Sequence, residues 1–345
     1  MIDRAAPTTA VVADEVWHIT RVWPGDPTPL EARLGDEVRG GRLRSDGTVE
    51  LLDPDDDAKL PALGALAHRG ELVSHRPGKR AVVRLDETFA KAVRRGRAGG
   101  VADAHERGAA AFGHAFAVPE IAARSDDAIE LTIVPGRTLD ALGADPATPA
   151  GAWRAAWRSW REAWTSSVAG GELDGLAPHT VGDEARILRE WADHAALRIG
   201  AGSAQLLREA AERLIQGLER AVPNPERIAH RDLHDKQLLW DDDRGIGLID
   251  LDTCARADPA LDLGNLLAHA ELAESQGRWT PDRARAAAAE IASAADELGV
   301  DADSIEAWRR AARFRIACVH VLRPPGREAA HRDLFRMMVE DSRNA

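Results

Sequence analysis

Ile228-Ala-His-Arg-Asp-Leu-His-Asp-Lys-Gln-Leu-Leu-Trp240, followed by Asp241-Asp-Asp-Arg-Gly245 and Ile246-Gly-Leu-Ile-Asp-Leu-Asp252, is the one stretch in which reactive side chains crowd at fixed spacings. Leu238 to Trp240 and Ile246 to Ile249 read as two short apolar strands, and the acidic segment that ends in Gly245 reads as the turn between them. An antiparallel hairpin brings its outer ends together. The loop before the first strand, with His230, Asp232 and Gln237, is therefore expected beside Asp250 at the end of the second. One group able to accept a hydroxyl proton and two able to hold a metal then share one mouth.

Phosphotransfer enzymes of the protein-kinase class use H-R-D-L-x-x-x-N, in which the Asp orients and deprotonates the acceptor hydroxyl and the Asn binds magnesium, followed by a second metal-binding Asp on the next hairpin. His230-Arg-Asp-Leu233 fits this order, with Gln237 at the Asn position, Asp250 as the second Asp, and Asp258-Pro-Ala-Leu-Asp-Leu263 downstream. The combination resembles the aminoglycoside phosphotransferase and choline kinase group of small-molecule kinases, in the maltokinase-like H-x-D-x-H-x-x-Q variant. The resemblance implies an α+β, protein-kinase-like bilobal fold, with a small β-rich N-lobe and a mostly helical C-lobe, and the use of ATP and Mg²⁺. It also implies that Asp232 is catalytic and that Gln237 and Asp250 hold the metal, since a Gln offers the same amide oxygen as an Asn. His230, His234 and Asp252, as motif neighbours, stand either at metal or acceptor or in loop hydrogen bonds.

Lys91 is expected inside a strand, flanked by Phe89, Ala90, Ala92 and Val93, where a charge is costly unless it is paired. Glu106, on a helix read over Val101 to Phe112, lies at a chain distance suited to that pairing. In the resembled enzymes such a Lys contacts the nucleotide phosphates and the Glu holds it. By the same resemblance the Thr132 carbonyl and the Val134 amide would receive adenine. The turn Arg76-Pro-Gly-Lys-Arg80 has only Gly78 and lacks the G-x-G-x-x-G of protein kinases.

Composition sets the outer limits. The chain has 345 residues, 44% hydrophobic and 30% charged, with a formal net charge of -12, as expected of a folded acidic protein and against general binding to a phosphate backbone. Nucleic acid is not an expected partner. Only Cys254 and Cys318 occur, far apart, which argues against a disulfide framework or a zinc site built on cysteine. With neither a signal peptide read at Met1-Ile-Asp-Arg-Ala-Ala-Pro nor any apolar run of membrane-spanning length, a cytoplasmic protein without a membrane partner is expected.

Along the chain, residues 1–65 read as an N-terminal β-rich module, 66–135 as the N-lobe and 136–345 as the helical C-lobe with the catalytic and metal-binding loops. Every motif residue lies beyond Asp57, so deletion of about Met1 to Asp57 is expected to leave ATP binding in place, with effects confined to solubility or acceptor preference. Trp153, Trp157, Trp160 and Trp164 recur on one helical face and read as core. Asp250 is followed almost at once by Asp258-Pro259, which leaves no room for the activation segment of a protein kinase. The expected partner is a small-molecule hydroxyl acceptor, with Gln237 favouring a sugar or amino sugar over an aminoglycoside or amino alcohol. A nucleotide-binding pseudokinase would present the same fold. The sequence leaves open ATP against GTP and the oligomeric state.

Overall fold

The structure, a computed structural model, describes residues 6–199 and 201–340. Met1 to Ala5, where a signal peptide was considered, lie outside them. Strands β1 (Thr9–Val12), β2 (Glu15–Val22), β3 (Thr28–Leu34), β4 (Glu37–Leu43) and β5 (Val49–Leu51) pair in chain order as an antiparallel meander. Trp17 and Ile19 of β2 turn inward with Leu30, Ala32 and Leu43 on the two-residue period of a pleated strand, and the register irregularity between Ile19 and Arg21 brings Val22 onto the same face three residues on.

Helix α1 (Leu63–Ala67) does not share that core. Its Leu63 and Leu66 pack with Ala81, Val83, Ala90 and Ala92 of a second sheet, built from β6 (Glu71–Arg76), β7 (Arg80–Arg84) and β8 (Thr88–Val93). Helix α2 (Ala98–Phe112) follows, then β9 (Ile121–Arg124) and β10 (Ala128–Thr132), and the strand order is β6-β7-β8-β10-β9.

The remainder is mostly helical. Strand β11 (Arg137–Thr138) leads into α3 (Leu139–Ala144), α4 (Ala150–Gly170), α5 (Val181–Ile199) and α6 (Ala201–Arg220). Then come β12 (Arg227–Ala229), β13 (Leu238–Asp241), β14 (Gly245–Leu248) and β15 (Ala255–Ala257). Helices α7 (Ala260–Ser275), α8 (Pro281–Leu298), α9 (Ala302–Leu322) and α10 (Arg327–Glu340) close the chain. The bounds of α8 follow from local chemistry. The Thr280 hydroxyl accepts from Arg283 N, Pro281 sits in the first turn, and Gly299 takes the left-handed cap.

Trp153, Trp157, Trp160 and Trp164 are all buried on α4, in one core with Leu238, Leu248, Trp279, Ala287 and Ile291. Removing such side chains from water contributes about 1.5–3 kcal/mol each, so this core fixes the β13–β14 hairpin against the helices. Among the described residues no helix is long and apolar enough to cross a membrane.

The N-terminal sheet is joined to the rest by buried polar groups. Glu31 accepts from His75 N at 3.0 Å, Gly40 N donates to His75 Nδ1 at 3.1 Å, and His75 Nε2 donates to Asp57 at 2.9 Å. Asp57 also accepts from Gly78 N at 2.7 Å. Burial pushes the Asp57 carboxyl up, but the His75 and Gly78 hydrogen bonds outweigh it and leave the group below its ordinary value. A Cβ at Gly40 would lie 2.5 Å from His75 Nδ1, so the strand approaches that closely only because the residue is glycine. At the far side Arg327 Nη2 donates to the Ala6 carbonyl at 2.9 Å, tying the same segment to the start of α10. The front of the chain thus touches both lobes and does not stand apart from them.

Candidate active site

The site is assembled on the β13–β14 hairpin and on the loop of residues 230–237 that precedes it. Leu238 pairs with Leu248 and Asp241 with Gly245. The loop folds back onto the end of β14. Ile249 N donates to the Gln237 carbonyl at 3.0 Å, and His230 Nε2 bonds to the Ile249 carbonyl at 2.9 Å. His230 and Gln237 therefore lie against the residue that precedes Asp250, and half-buried Asp232 lies in the loop between them. Strand β11 adds to the hairpin through Arg137 opposite Trp240, so the connection between the lobes is itself a strand of this small sheet.

Two residues of α7 grip the loop from behind. Asp262, fully buried, accepts from His230 N at 2.7 Å and from Arg231 N at 2.9 Å. One helical turn later, Asn265 Nδ2 donates to the Leu233 carbonyl at 2.8 Å, and Arg315 holds the Asn265 oxygen at 2.7 Å. Burial raises the Asp262 carboxyl above its ordinary value even against the His230 charge and the two amide hydrogen bonds. The motif around Asp258 pointed to this region, but Asp262 and Asn265 were assigned no task from sequence. Their signal was a polar pair three residues apart within an otherwise apolar helix start.

Lys91 on β8 reaches Asp250 Oδ1 at 2.5 Å and Asp252 Oδ2 at 3.5 Å. This corrects the expected pairing with Glu106. On α2 it is His105 that turns inward, bonding to the Pro119 carbonyl at 2.8 Å, and the next residue, Glu106, projects to solvent. The helix still approaches the site through Gly108, where a Cβ would lie 2.5 Å from the Leu251 carbonyl. Burial alone would raise the Asp250 carboxyl, but the Lys91 charge and hydrogen bond, with Arg80 and His230 behind them, hold it far below the usual range. Asp250 and Arg231 both take left-handed backbone conformations, with φ of 66° and 74°.

Gln237 is buried with its Oε1 unpartnered, and Asp252 Oδ1 is likewise buried without a hydrogen bond. Two orphaned oxygens next to a carboxylate held ionised are the donor set that a hard cation such as magnesium takes. Thr132 closes β10, its N–H bonded to the Glu120 carbonyl and its Oγ1 accepting from Glu120 N, both at 2.9 Å. Buried Val134 lies in the connection that follows and packs on Gly247, where a Cβ would come within 2.4 Å of Val134 Cγ1. His234 stacks on His269 of α7, with ring centroids 4.7 Å apart.

Against known proteins, residues 71–310 match the phosphotransferase enzyme family. No curated protein matches the sequence. Among solved structures, aminoglycoside phosphotransferase APH(3'')-Id from Streptomyces rimosus superposes with a TM-score of 0.53 at 18% identity, over 74% of this chain and 96% of that one. Its complex with ADP and streptomycin gives 0.50 at 18% identity, over 68% and 90%. An aminoglycoside-3'-phosphotransferase of type VIII gives 0.52 at 20% identity, over 75% and 98%. At such identities the likeness speaks to the fold, and it agrees with two lobes, one β-rich and one helical, joined at the β13–β14 hairpin. The sequence match begins at β6, runs into α9, and takes in Lys91, the gripped loop, Asp250 and Asp262. Spanning most of the chain, it shows that the protein belongs to the phosphotransferase enzyme family.

Proposed function

We propose that this phosphotransferase moves the γ-phosphoryl group of ATP to a hydroxyl of a small molecule, a sugar or amino sugar. The observation that carries the reading is the meeting of Lys91 with Asp250 beside a loop that α7 holds by its backbone. Phosphoryl transfer asks for positioning and charge neutralisation more than for covalent help. Asp232 would orient the acceptor hydroxyl and take its proton. Lys91 would exchange part of its contact with Asp250 for the phosphate oxygens. Gln237 and Asp250, with Asp252 alongside, would hold magnesium, which when bound neutralises charge developing on the phosphates. The backbone at Thr132 and Val134 would take the adenine.

The acceptor class follows from the short connection after Asp250. Residues 255–257 are used up as β15, paired with β12, and α7 begins at Ala260. No segment is left there to form a platform for a protein substrate. The net charge of -12 disfavours nucleic acid and suits acceptors carrying amines. Cys254 and Cys318 are both free thiols, in keeping with a reducing cytoplasm.

The test is incubation with ATP and magnesium against a panel of sugars, amino sugars, aminoglycosides and amino alcohols, with mass detection of any product heavier by one phosphate. A sugar or amino sugar product is expected. If ATP binds but no product forms with any acceptor, the reading gives way to a nucleotide-binding pseudokinase.

A further inference from the structure

Phosphoryl transfer leaves one cluster without a task. Asp235 is only 1% exposed, yet neither of its carboxylate oxygens has a hydrogen-bond partner. A buried carboxylate in that condition is costly unless a cation compensates it. The nearest guanidinium, Arg278, lies 3.5 Å from Oδ2 and also pairs with Asp140, so it serves two carboxylates. Oδ1 faces imidazoles instead, with His234 Nδ1 at 3.6 Å and His269 Nδ1 at 4.0 Å. The ligating atoms of all three residues lie within 4.8 Å of one another.

The two rings stack with 25° between their planes. A pair of imidazolium ions would repel at that separation, so at least one ring is neutral and offers a lone pair. His234 Nδ1 accepts from Lys236 N at 3.2 Å, which marks that nitrogen as unprotonated.

We infer that His234, Asp235 and His269 form a site for a transition-metal ion of the zinc class, separate from the oxygen-only set at Gln237, Asp250 and Asp252. Two imidazole nitrogens and one carboxylate oxygen are a borderline donor set that suits Zn²⁺ or Co²⁺, whereas magnesium prefers oxygen. Metal–ligand bonds of about 2.0–2.2 Å in a tetrahedron place the donor atoms roughly 3.3–3.5 Å apart. The three ligating atoms, with His234 and His269 Nδ1 at 3.6 and 4.0 Å from Asp235 Oδ1 and all within 4.8 Å of one another, reach this through side-chain movements of up to about 1–1.5 Å, at the expense of the Lys236 N hydrogen bond to His234. Arg278 stays on Oδ2 and orients the carboxylate from outside the coordination sphere. The two imidazole side chains are 19% and 20% exposed, which gives the ion a route in and leaves its fourth position to water or to a donor atom of the acceptor. His234 and Asp235 follow Asp232 by two and three residues, so an ion here ties the catalytic loop to the middle of α7 through side chains.

The site is tested on the full chain, purified without a polyhistidine tag and freed of metal by a chelator. Zn²⁺ is titrated calorimetrically, and Co²⁺ by the visible absorption that a tetrahedral nitrogen and oxygen site gives. The wild type should take one ion per chain with that spectrum, and His269→Ala should weaken binding by about tenfold or more while circular dichroism shows the fold intact. Asp235→Asn should do the same. Should that variant fail to fold, the part-exposed His269→Ala decides. Asp250→Ala should keep Zn²⁺ binding. No binding by the wild type, undiminished binding in folded His269→Ala, or loss in Asp250→Ala with retention in His269→Ala would each overturn the proposal. None of these outcomes depends on whether an acceptor is ever phosphorylated.

Discussion

Replacing Lys91 and Asp250 by alanine, singly and together, probes the contact that carries the proposed nucleotide site. The pair meets at 2.5 Å with side chains 16% and 31% exposed, so water screens it only in part. Two unit charges about 4 Å apart at an effective dielectric near 20 interact by about 4 kcal/mol before the cost of desolvation, which takes back much of it, is subtracted. Hydrogen bonds to charged groups contribute about 1.5–3 kcal/mol, and fully exposed pairs about 0–1. A coupling of about 1.5–3 kcal/mol is therefore expected from urea unfolding of the four proteins without nucleotide. The matching cycle for Lys91 and Glu106 should be additive within about 0.5 kcal/mol, because Glu106 faces solvent. With saturating ATP and magnesium the Lys91 to Asp250 coupling should shrink as the ammonium turns toward phosphate. The pH dependence carries a sign. The folded value of Asp250 lies below its unfolded one, so its contribution is full above the ordinary carboxylate range and fades as pH falls toward the folded value. In Lys91→Ala the burial of Asp250 remains and much of its compensation is gone, so that acid-side loss should diminish. Additivity of Lys91 with Asp250, together with a coupling above about 1 kcal/mol to Glu106, would refute the pairing.

Other outcomes can be set beside this one. Asp232→Asn should leave ATP binding nearly unchanged and lower turnover by about 10² to 10⁴, measured once an acceptor is in hand; unchanged turnover would remove Asp232 from the chemistry. Asp262→Asn sets an amide NH₂ against one of two backbone donors, so it should cost about 1–3 kcal/mol in chemical denaturation and about 10² in turnover as the loop shifts. Full activity in that variant would show that the loop holds itself. Asp57→Ala strands the His75 ring and Gly78 N and should destabilise by about 2–3 kcal/mol, whereas a front module detached from the lobes would leave the main unfolding transition where it is. Asp250→Ala should abolish magnesium-dependent ATP binding, and Gln237→Asn should keep it with at most a shifted magnesium requirement. Equal ATP binding with and without a divalent ion would remove the metal from this site.

Much of this was legible because the informative features are local. The β13–β14 hairpin could be read from two apolar runs and a turn. The α8 helix could be read from Thr280, Pro281 and Gly299, and the α4 core from the spacing of its four tryptophans. Sequence reasoning failed where rotation about an element decides the partner. Glu106 lies at a reasonable chain distance from Lys91, but which face of α2 it occupies is set by the packing of Ala98, Ala102 and His105, and those contacts are long-range. Asp262 and Asn265 were hidden for a related reason, since a side chain that binds backbone leaves no matching residue in the loop it holds. The short β12–β15 pair could not be anticipated from three-residue segments. Nor could the polar joint at Glu31, Asp57 and His75, whose members come from three separate parts of the chain. The N-terminal sheet therefore looked removable.

The left-handed backbone at Arg231 and Asp250 has a consequence for how this protein could be improved or worn down. A residue other than glycine pays about 1–2 kcal/mol in that region, and here the outlay falls twice, at the two positions that flank the mouth of the site. At Asp250 the Lys91 contact offsets that strain, so glycine there would lose the ion pair along with the strain and gain little or nothing in heat resistance. At Arg231 no such partner among the described residues compensates on the side chain, and a search for hardier variants scored on heat resistance alone would drift toward glycine, loosening the chain whose amide α7 holds. Thermal robustness and competence are therefore opposed at Arg231 and aligned at Asp250, although both carry the same backbone strain.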